Sequence, residues 1–276
     1  MFISTIFFLI VKIGVKLLPH IPTMEIVFFR CIISFFIIFL ILKNQGIYIL
    51  GNNKFLLIMR GVFGTIGLYF YFLIIQNIPL ATASIIIYIT PIFTSIIGVF
   101  VLKEKINLLQ SLCIFFAFLG ILLIQGFDHR VTIDYLVLGL VGSFCAGCAY
   151  NIIRYLRDKE HSLVLVIYFP MIAFPIAGII SYFNWVNPSF NDLIILITIG
   201  IITQIAQYFM TKSFQSEKVS TVSIVSYTEI ILVIAIGYQF FDETFNFLTY
   251  FGMFIVVISV VTSIIFSSKH TDQIDK

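Results

Sequence analysis

Long apolar runs follow one another along almost the whole chain, separated by short breaks that contain Pro, Gly or charged residues. A helix needs about 20 mainly apolar residues to cross the hydrocarbon core of a bilayer. The runs do not alternate as barrel strands would, and backbone groups in lipid must bond internally, so each run is expected to be a helix. The sequence predicts ten spans, at 2–18, 24–42, 55–76, 80–102, 107–125, 134–154, 163–183, 193–213, 219–240 and 246–267.

The composition excludes a soluble protein. Hydrophobic residues make up 61% of the 276 positions and charged residues only 11%, whereas a soluble domain carries about 25% charged residues. The net charge of +3 is too small to indicate a nucleic-acid partner. The first run lacks a basic segment before it and a small-residue cleavage site after it, so we expect a permanent helix and not a signal peptide.

The basic residues indicate how the chain is oriented, because cytoplasmic loops are enriched in Lys and Arg. With the N-terminus in the cytoplasm, twelve basic residues lie in or beside cytoplasmic loops, and only Arg130 lies in an outer loop. The twelve are Lys43, Lys54, Arg60, Lys103, Lys105, Arg154, Arg157, Lys159, Lys212, Lys218, Lys269 and Lys276. The bias requires an even number of spans. We therefore expect a multi-pass protein of the cytoplasmic (inner) cell membrane with both termini in the cytoplasm.

Two segments, 80–105 and 218–243, resemble each other. Both begin with small and hydroxyl residues, and both have a Thr before a special residue at mid-span, Pro91 in the first and Glu229 in the second. Both end in an acid, Glu104 or Glu243. The alternative is chance similarity between two apolar helices. Five spans per half would place the second copy in the opposite orientation, which is a common plan in transporters.

The fold class expected from this similarity is an all-α integral membrane protein whose ten transmembrane helices form two inverted five-helix repeats. The first repeat is expected at 1–125 and the second at 132–267, with a cytoplasmic tail at 268–276.

The sequence also resembles the drug/metabolite transporter superfamily, in its ten-span EamA-type branch, over nearly its whole length. The residues that carry the resemblance are Lys16, Phe28-Phe29-Arg30, Arg60-Gly61, the segment Pro79-Leu-Ala-Thr-Ala-Ser84, Pro91, Glu104, the segment Ser220-Thr-Val-Ser223, and Glu243. The resemblance implies a transporter. Many members carry Pro at the position of Glu229, and Tyr227-Thr-Glu229 looks more like the subgroup that includes carriers of S-adenosylmethionine and other amino-acid-derived metabolites.

Glu229 is the acid that the sequence places near the middle of a span, roughly 15 Å deep at 1.5 Å per residue. Its side chain is too short to reach the interface. A carboxylate inside the membrane is costly and indicates a function by default. The alternative is a salt bridge that only holds two helices together.

Three cations also lie within spans. Arg30 lies about six residues inside its span, where it can either extend to the outer interface or hold an anionic group in a cavity. Lys12 and Lys16 are four residues apart and share one helix face. Lys16 can extend to the interface, whereas Lys12 is deeper, so at least one of them is expected in a cavity.

Amides and tyrosines complete the candidate site for substrate binding or coupling. Asn151, Gln204 and Gln207 can either line a cavity or bond between helices. Tyr88 and Tyr227 lie near Pro91 and Glu229, and can form a binding wall or pack in the core.

The sequence indicates neither a catalytic residue nor a metal or other cofactor. Cys145 and Cys148 lie one helical turn apart with no further ligand nearby, so small-residue packing is the favoured interpretation over a redox pair. The four histidines fall in loops or tails. A Walker A motif is missing as well, so transport would draw on a gradient or on the solute itself.

The favoured function is a secondary transporter or exchanger of a small metabolite, amino-acid-like or S-adenosylmethionine-like. Its expected partners are that small-molecule substrate, the lipid bilayer and a proton or counter-solute, in a monomer or homodimer. The alternative is an integral-membrane enzyme or lipid-handling scaffold. An enzyme would be expected to cluster His, Asp and Glu at one membrane face, whereas this chain has isolated charges at mid-membrane.

The orientation leads to a first prediction. A reporter that is active only outside the cytoplasm gives no signal when it is fused after Lys276, because an even number of spans returns the C-terminus to the cytoplasm. The same reporter inserted after Arg130 gives a strong signal. A strong signal at residue 276 would contradict the orientation.

Overall fold

A computed structural model describes residues 1–101, 108–156, 159–216 and 228–274, and these residues form helices and no β-strand. The helices are α1 (Phe2–Lys16), α2 (Thr23–Asn44), α3 (Lys54–Asn77), α4 (Leu80–Ile87), α5 (Thr90–Val101), α6 (Leu108–Phe127), α7 (Ile133–Leu156), α8 (Ser162–Phe183), α9 (Phe190–Ser216), α10 (Thr228–Phe241) and α11 (Phe247–Ile274). Each predicted span coincides with a helix or a helix pair. The first part of the predicted span 219–240 lies outside the described residues.

Six of the described segments are long and apolar enough to cross a membrane: α2, α3, α4 with α5, α7, α8 and most of α9. Shorter apolar stretches occur in α6, α10 and α11. Helices α4 and α5 together form one span, and the other successive helices run antiparallel. The loops lie at two ends of the bundle, which we call the Met1 face and the opposite face.

The helix contacts follow a two-fold pattern. Helix α3 packs on α7 and α8, and in the same way α9 packs on α1 and α2. The pairs α2–α8 and α6–α11 map onto themselves when the two halves are exchanged. Since each half has an odd number of spans, the fold is two inverted five-helix repeats.

The α6–α11 pair shows this symmetry at atomic scale. A Cβ on Gly120 would lie 2.8 Å from the carbonyl oxygen of Gly252, and a Cβ on Gly252 would lie 2.8 Å from that of Gly120. The two helices therefore approach through reciprocal backbone contacts, as small residues allow in membrane helices.

The fourth predicted span is two helices instead of one continuous helix. Pro91 has no N–H, so the carbonyl of Ile87 lacks its usual donor four residues later. The hydroxyl of Thr90 donates to that carbonyl instead, at 2.7 Å. Helix α4 therefore ends at Ile87 and α5 begins at Thr90. Helix α8, in contrast, continues through Pro170 and Pro175.

Glu243 fixes the start of α4. The first N–H groups of a helix have no partner within the helix. The Glu243 carboxylate, from the loop between α10 and α11, accepts from the N–H of Leu80 at 2.6 Å and of Ala81 at 3.3 Å. The second half of the chain thus positions α4, which carries Ser84 and leads to Tyr88.

The reciprocal glycine contact leads to a second prediction. Gly252→Val forces side-chain atoms against the backbone of α6 and lowers the stability of the detergent-purified protein by about 1–3 kcal/mol, the usual cost of overpacking. Ala235→Val, on the exposed face of α10, serves as the control and leaves the melting temperature unchanged. Equal melting temperatures for the two variants would show that α6 and α11 do not approach through these glycines.

Candidate functional site

Glu229 forms a buried ion pair at the junction of the two repeats. Its Oε1 atom lies 2.8 Å from Nζ of Lys12, a contact that is an ion pair and not a well-aligned hydrogen bond. Its other carboxylate oxygen accepts a hydrogen bond from the Tyr88 hydroxyl. Glu229 and Lys12 are each only 5% exposed. Helices α1, α4 and α10 therefore meet at one carboxylate.

Aromatic rings and a hydroxyl surround the ammonium group of Lys12. Nζ donates to Oγ of Ser84 at 3.4 Å, and it lies 5.3 Å from the ring centre of Tyr88 and 5.8 Å from that of Tyr71. Cation–π contacts of this kind stabilise a desolvated ammonium. The sequence analysis did not select Ser84 or Tyr71 as site residues, although both lie one or two turns from the end of an apolar helix.

Arg30 lies inside the bundle and does not extend to the interface. It is 6% exposed, and its guanidinium carbon lies 5.1 Å from the ring centre of Phe72 and 5.8 Å from that of Phe169. Among the residues that the structure describes, Arg30 forms no ion pair. Its positive charge is therefore available to an anionic group.

Arg60 is a second cation beside the ring of Phe169. From the sequence it contributed to the family resemblance and to the count of basic residues, but it was not a candidate site residue. Its guanidinium carbon lies 5.1 Å from the ring centre of Phe169. Its Nε and Nη1 atoms are buried with no hydrogen-bond partner. Tyr150, on α7, interacts electrostatically with Arg30 and Arg60 and is 47% exposed.

Lys16 and Asn151 lie apart from the Glu229 pair. Nζ of Lys16 donates to the carbonyl of Ile78 at 2.5 Å, which ties the end of α1 to the loop before α4. The amide nitrogen of Asn151 donates to the carbonyls of Thr94 and Gly147, so it joins α7 to α5. The amide oxygen of Asn151 is buried without a partner.

Three sequence candidates remain, and the structure describes two of them. Gln204 and Gln207 are half-buried on α9. Tyr227 lies outside the described residues, as do Glu104 and the segment 220–223 that carry part of the family resemblance.

Glu25 is a further buried acid, and it was not among the residues that the sequence indicated as candidates. Glu25 is fully buried in the first turn of α2 and accepts from the N–H of Val186 at 3.2 Å, while its other oxygen has no partner. An acid in the first turn of a helix is common because it complements the helix dipole. Its position in the sequence therefore gave no sign of burial.

Within the described residues, no three His, Cys, Asp or Glu side chains are close enough together to hold a metal ion. Cys145 and Cys148 are both free thiols on α7. The ionisable groups at contacts between the two repeats include the Lys12–Glu229 ion pair and two arginines, Arg30 and Arg60. In membrane proteins, ionisable groups inside a helix bundle commonly mark substrate or ion pathways.

Two separate stretches of the chain match one family model. Residues 1–126 and 134–265 each match the EamA-like transporter family. The chain belongs to this family. Together the two matches cover nearly the whole chain and fall on the two halves of the bundle.

Named relatives and a solved structure agree with that assignment. The pseudopaline exporter CntI of Pseudomonas aeruginosa is 30% identical over 87% of this chain and 85% of its own length. The S-adenosylmethionine uptake transporter of Rickettsia prowazekii is 23% identical over 89% of this chain and 83% of its own. A crystal structure covers 97% of this chain and 96% of its own at a TM-score of 0.65 and 13% identity, which shows a shared fold.

This EamA-type protein is a multi-pass membrane transporter of small molecules, and it is not an enzyme. The resemblance to the drug/metabolite transporter superfamily is therefore confirmed, and the alternative of an integral-membrane enzyme is set aside.

The buried ion pair leads to a third prediction. Lys12→Met leaves the Glu229 carboxylate buried without its cation, and breaking a buried pair costs about 3–5 kcal/mol. The double variant Lys12→Met with Glu229→Gln removes both charges and recovers most of the lost stability, measured as the melting temperature of the purified protein. Lys43→Met, at an exposed lysine, is the control for loss of a positive charge. A double variant less stable than Lys12→Met alone would contradict the pairing.

Proposed function

We propose that this transporter is a secondary carrier or exchanger of an amphoteric, amino-acid-like metabolite that binds near mid-membrane between the two repeats. The observation that carries the proposal is the buried Lys12–Glu229 pair together with Arg30, which has no counter-charge among the described residues. The cations would hold a carboxylate of the solute. Glu229 would hold its ammonium or sulfonium group once the solute displaces Lys12.

The names of two relatives support this substrate class. One is named for uptake of S-adenosylmethionine, a molecule that joins an amino-acid group to a sulfonium. The other is named as an exporter of pseudopaline. The two names describe opposite directions, in keeping with a carrier whose direction is set by gradients.

The proposal includes the arrangement of the protein in the membrane. The repeats comprise residues 1–125 and 132–267, and 268–276 form a cytoplasmic tail. The Met1 face lies in the cytoplasm and the protein resides in the cell membrane. The support is the distribution of basic residues.

The sequence offers no Walker A motif, so the carrier would be driven by a counter-solute or an ion gradient. Proton coupling is the second candidate for the role of Glu229. Its carboxylate contacts both Lys12 and the Tyr88 hydroxyl. Protonation of Glu229 would release Lys12 and change the charge of the site, which is one way to couple a proton to a solute.

The role of Glu229 gives the fourth prediction. In proteoliposomes screened against a metabolite panel, Glu229→Gln lowers both gradient-driven uptake and solute exchange by about tenfold or more, because it removes a charge-assisted contact to the solute. Asp134→Asn, at an exposed acid at the start of α7, leaves both rates unchanged.

The two readouts separate the alternatives. Loss of gradient-driven uptake with normal exchange would assign proton coupling to Glu229 in place of solute binding. Wild-type rates for both processes would show that Glu229 is only structural, and the proposed site would be wrong.

A further inference from the structure

Two guanidinium groups lie against one aromatic ring inside the bundle. The guanidinium carbons of Arg30 and Arg60 lie 5.8 Å and 5.1 Å from the ring centre of Phe169, so they are at most about 11 Å apart. Arg30 comes from α2, Arg60 from α3 and Phe169 from α8. The two guanidinium groups therefore lie near each other where the first repeat packs on the second.

Neither guanidinium has a counter-charge in the part of the chain that the structure describes. The ion pairs found there are Lys12–Glu229 and Arg130–Asp128, and His20 lies 3.1 Å from a carboxylate oxygen of Asp192. Glu229 is already matched by Lys12. Two further buried acids, Glu25 and Glu243, accept hydrogen bonds from backbone N–H groups and form no ion pair with either arginine among the described residues.

Buried charge without a partner is costly, and the cost falls when an anion supplies the partner. Nε and Nη1 of Arg60 are buried donors that no described residue satisfies. The planar fork of an arginine matches a carboxylate in geometry, and such pairs are often bidentate. The Tyr150 hydroxyl, close enough to interact electrostatically with both arginines, offers a further donor.

We propose that Arg30 and Arg60 form a double-arginine subsite and that the transported metabolite is acidic, with at least two carboxylates. This inference rests on the proposed function and narrows its substrate class. One carboxylate lies at Arg30. A second lies towards Arg60 and Tyr150, with the intervening chain of the solute packed on Phe169.

The charge balance distinguishes solutes with two carboxylates from other amino-acid-like solutes. An ordinary zwitterionic amino acid supplies one carboxylate and leaves one arginine unneutralised. S-adenosylmethionine adds a sulfonium to an amino-acid group and carries a net positive charge. An amino-acid derivative with two or more carboxylates neutralises both arginines.

The test uses succinate and succinamate as probes, because they have the same length and differ by one carboxylate. The melting temperature of the detergent-purified protein is titrated with each probe at constant ionic strength, since a ligand of the folded state raises stability. Succinate is expected to bind the wild-type protein about tenfold or more tightly than succinamate, which lacks one charge-assisted contact. Equal effects of the two probes on the wild type would overturn the proposal without any variant.

Variants of Arg60 test whether the preference for succinate depends on its guanidinium group. Arg60→Gln abolishes the preference for succinate, and Arg60→Lys, which keeps the charge but not the fork, retains part of it. Lys43→Gln, at an exposed lysine, keeps the full preference. A succinate preference that survives in folded Arg60→Gln would overturn the assignment. If Arg60→Gln does not fold, an undiminished preference in Arg60→Lys would overturn it.

Failure of this inference differs from failure of the proposed function. If proteoliposomes exchange zwitterionic or cationic amino-acid-like solutes while succinate has no advantage, the acidic substrate class is wrong and the carrier function stands. If succinate binds selectively but no amphoteric solute is exchanged, the proposed function is wrong and the double-arginine subsite stands.

Discussion

Every charge inside this bundle needs a partner, because an unpaired ion is costly in a medium that cannot solvate it. Lys12 and Glu229 satisfy each other at 2.8 Å. One belongs to the first half of the chain and the other to the second, so their attraction also joins the two repeats. A solute that binds Glu229 must displace Lys12, which links solute binding to the contact between the repeats.

Buried backbone N–H and C=O groups also need hydrogen-bond partners, and the interruption between α4 and α5 shows how they obtain them. The hydroxyl of Thr90 donates to the carbonyl that Pro91 leaves without a donor. Glu243 satisfies the first N–H groups of α4. Both contacts hold α4 where Ser84 and Tyr88 can reach Lys12 and Glu229. The break in the helix is therefore part of what forms the site.

Much of the fold could be predicted from the sequence, because run length alone determines which segments can span a bilayer. Pro91 stood out at the middle of the fourth span, but the position of the break depends on the hydroxyl bond of Thr90, which no pattern reveals. Glu229 and Lys12 stood out as charges deep in apolar runs. Arg60 did not, since a basic residue near a helix end usually reaches the interface, and only the packing of Phe169 from a distant helix places it inside.

A structure determined with a transported metabolite bound would show where the solute lies. We expect density for the metabolite between the repeats, within hydrogen-bond distance of Arg30 and in contact with residues of both halves. Density confined to the surface of the bundle, for example the cleft lined by Arg130, Phe245 and Asn246 on the opposite face, with the Lys12–Glu229 region empty, would contradict this expectation.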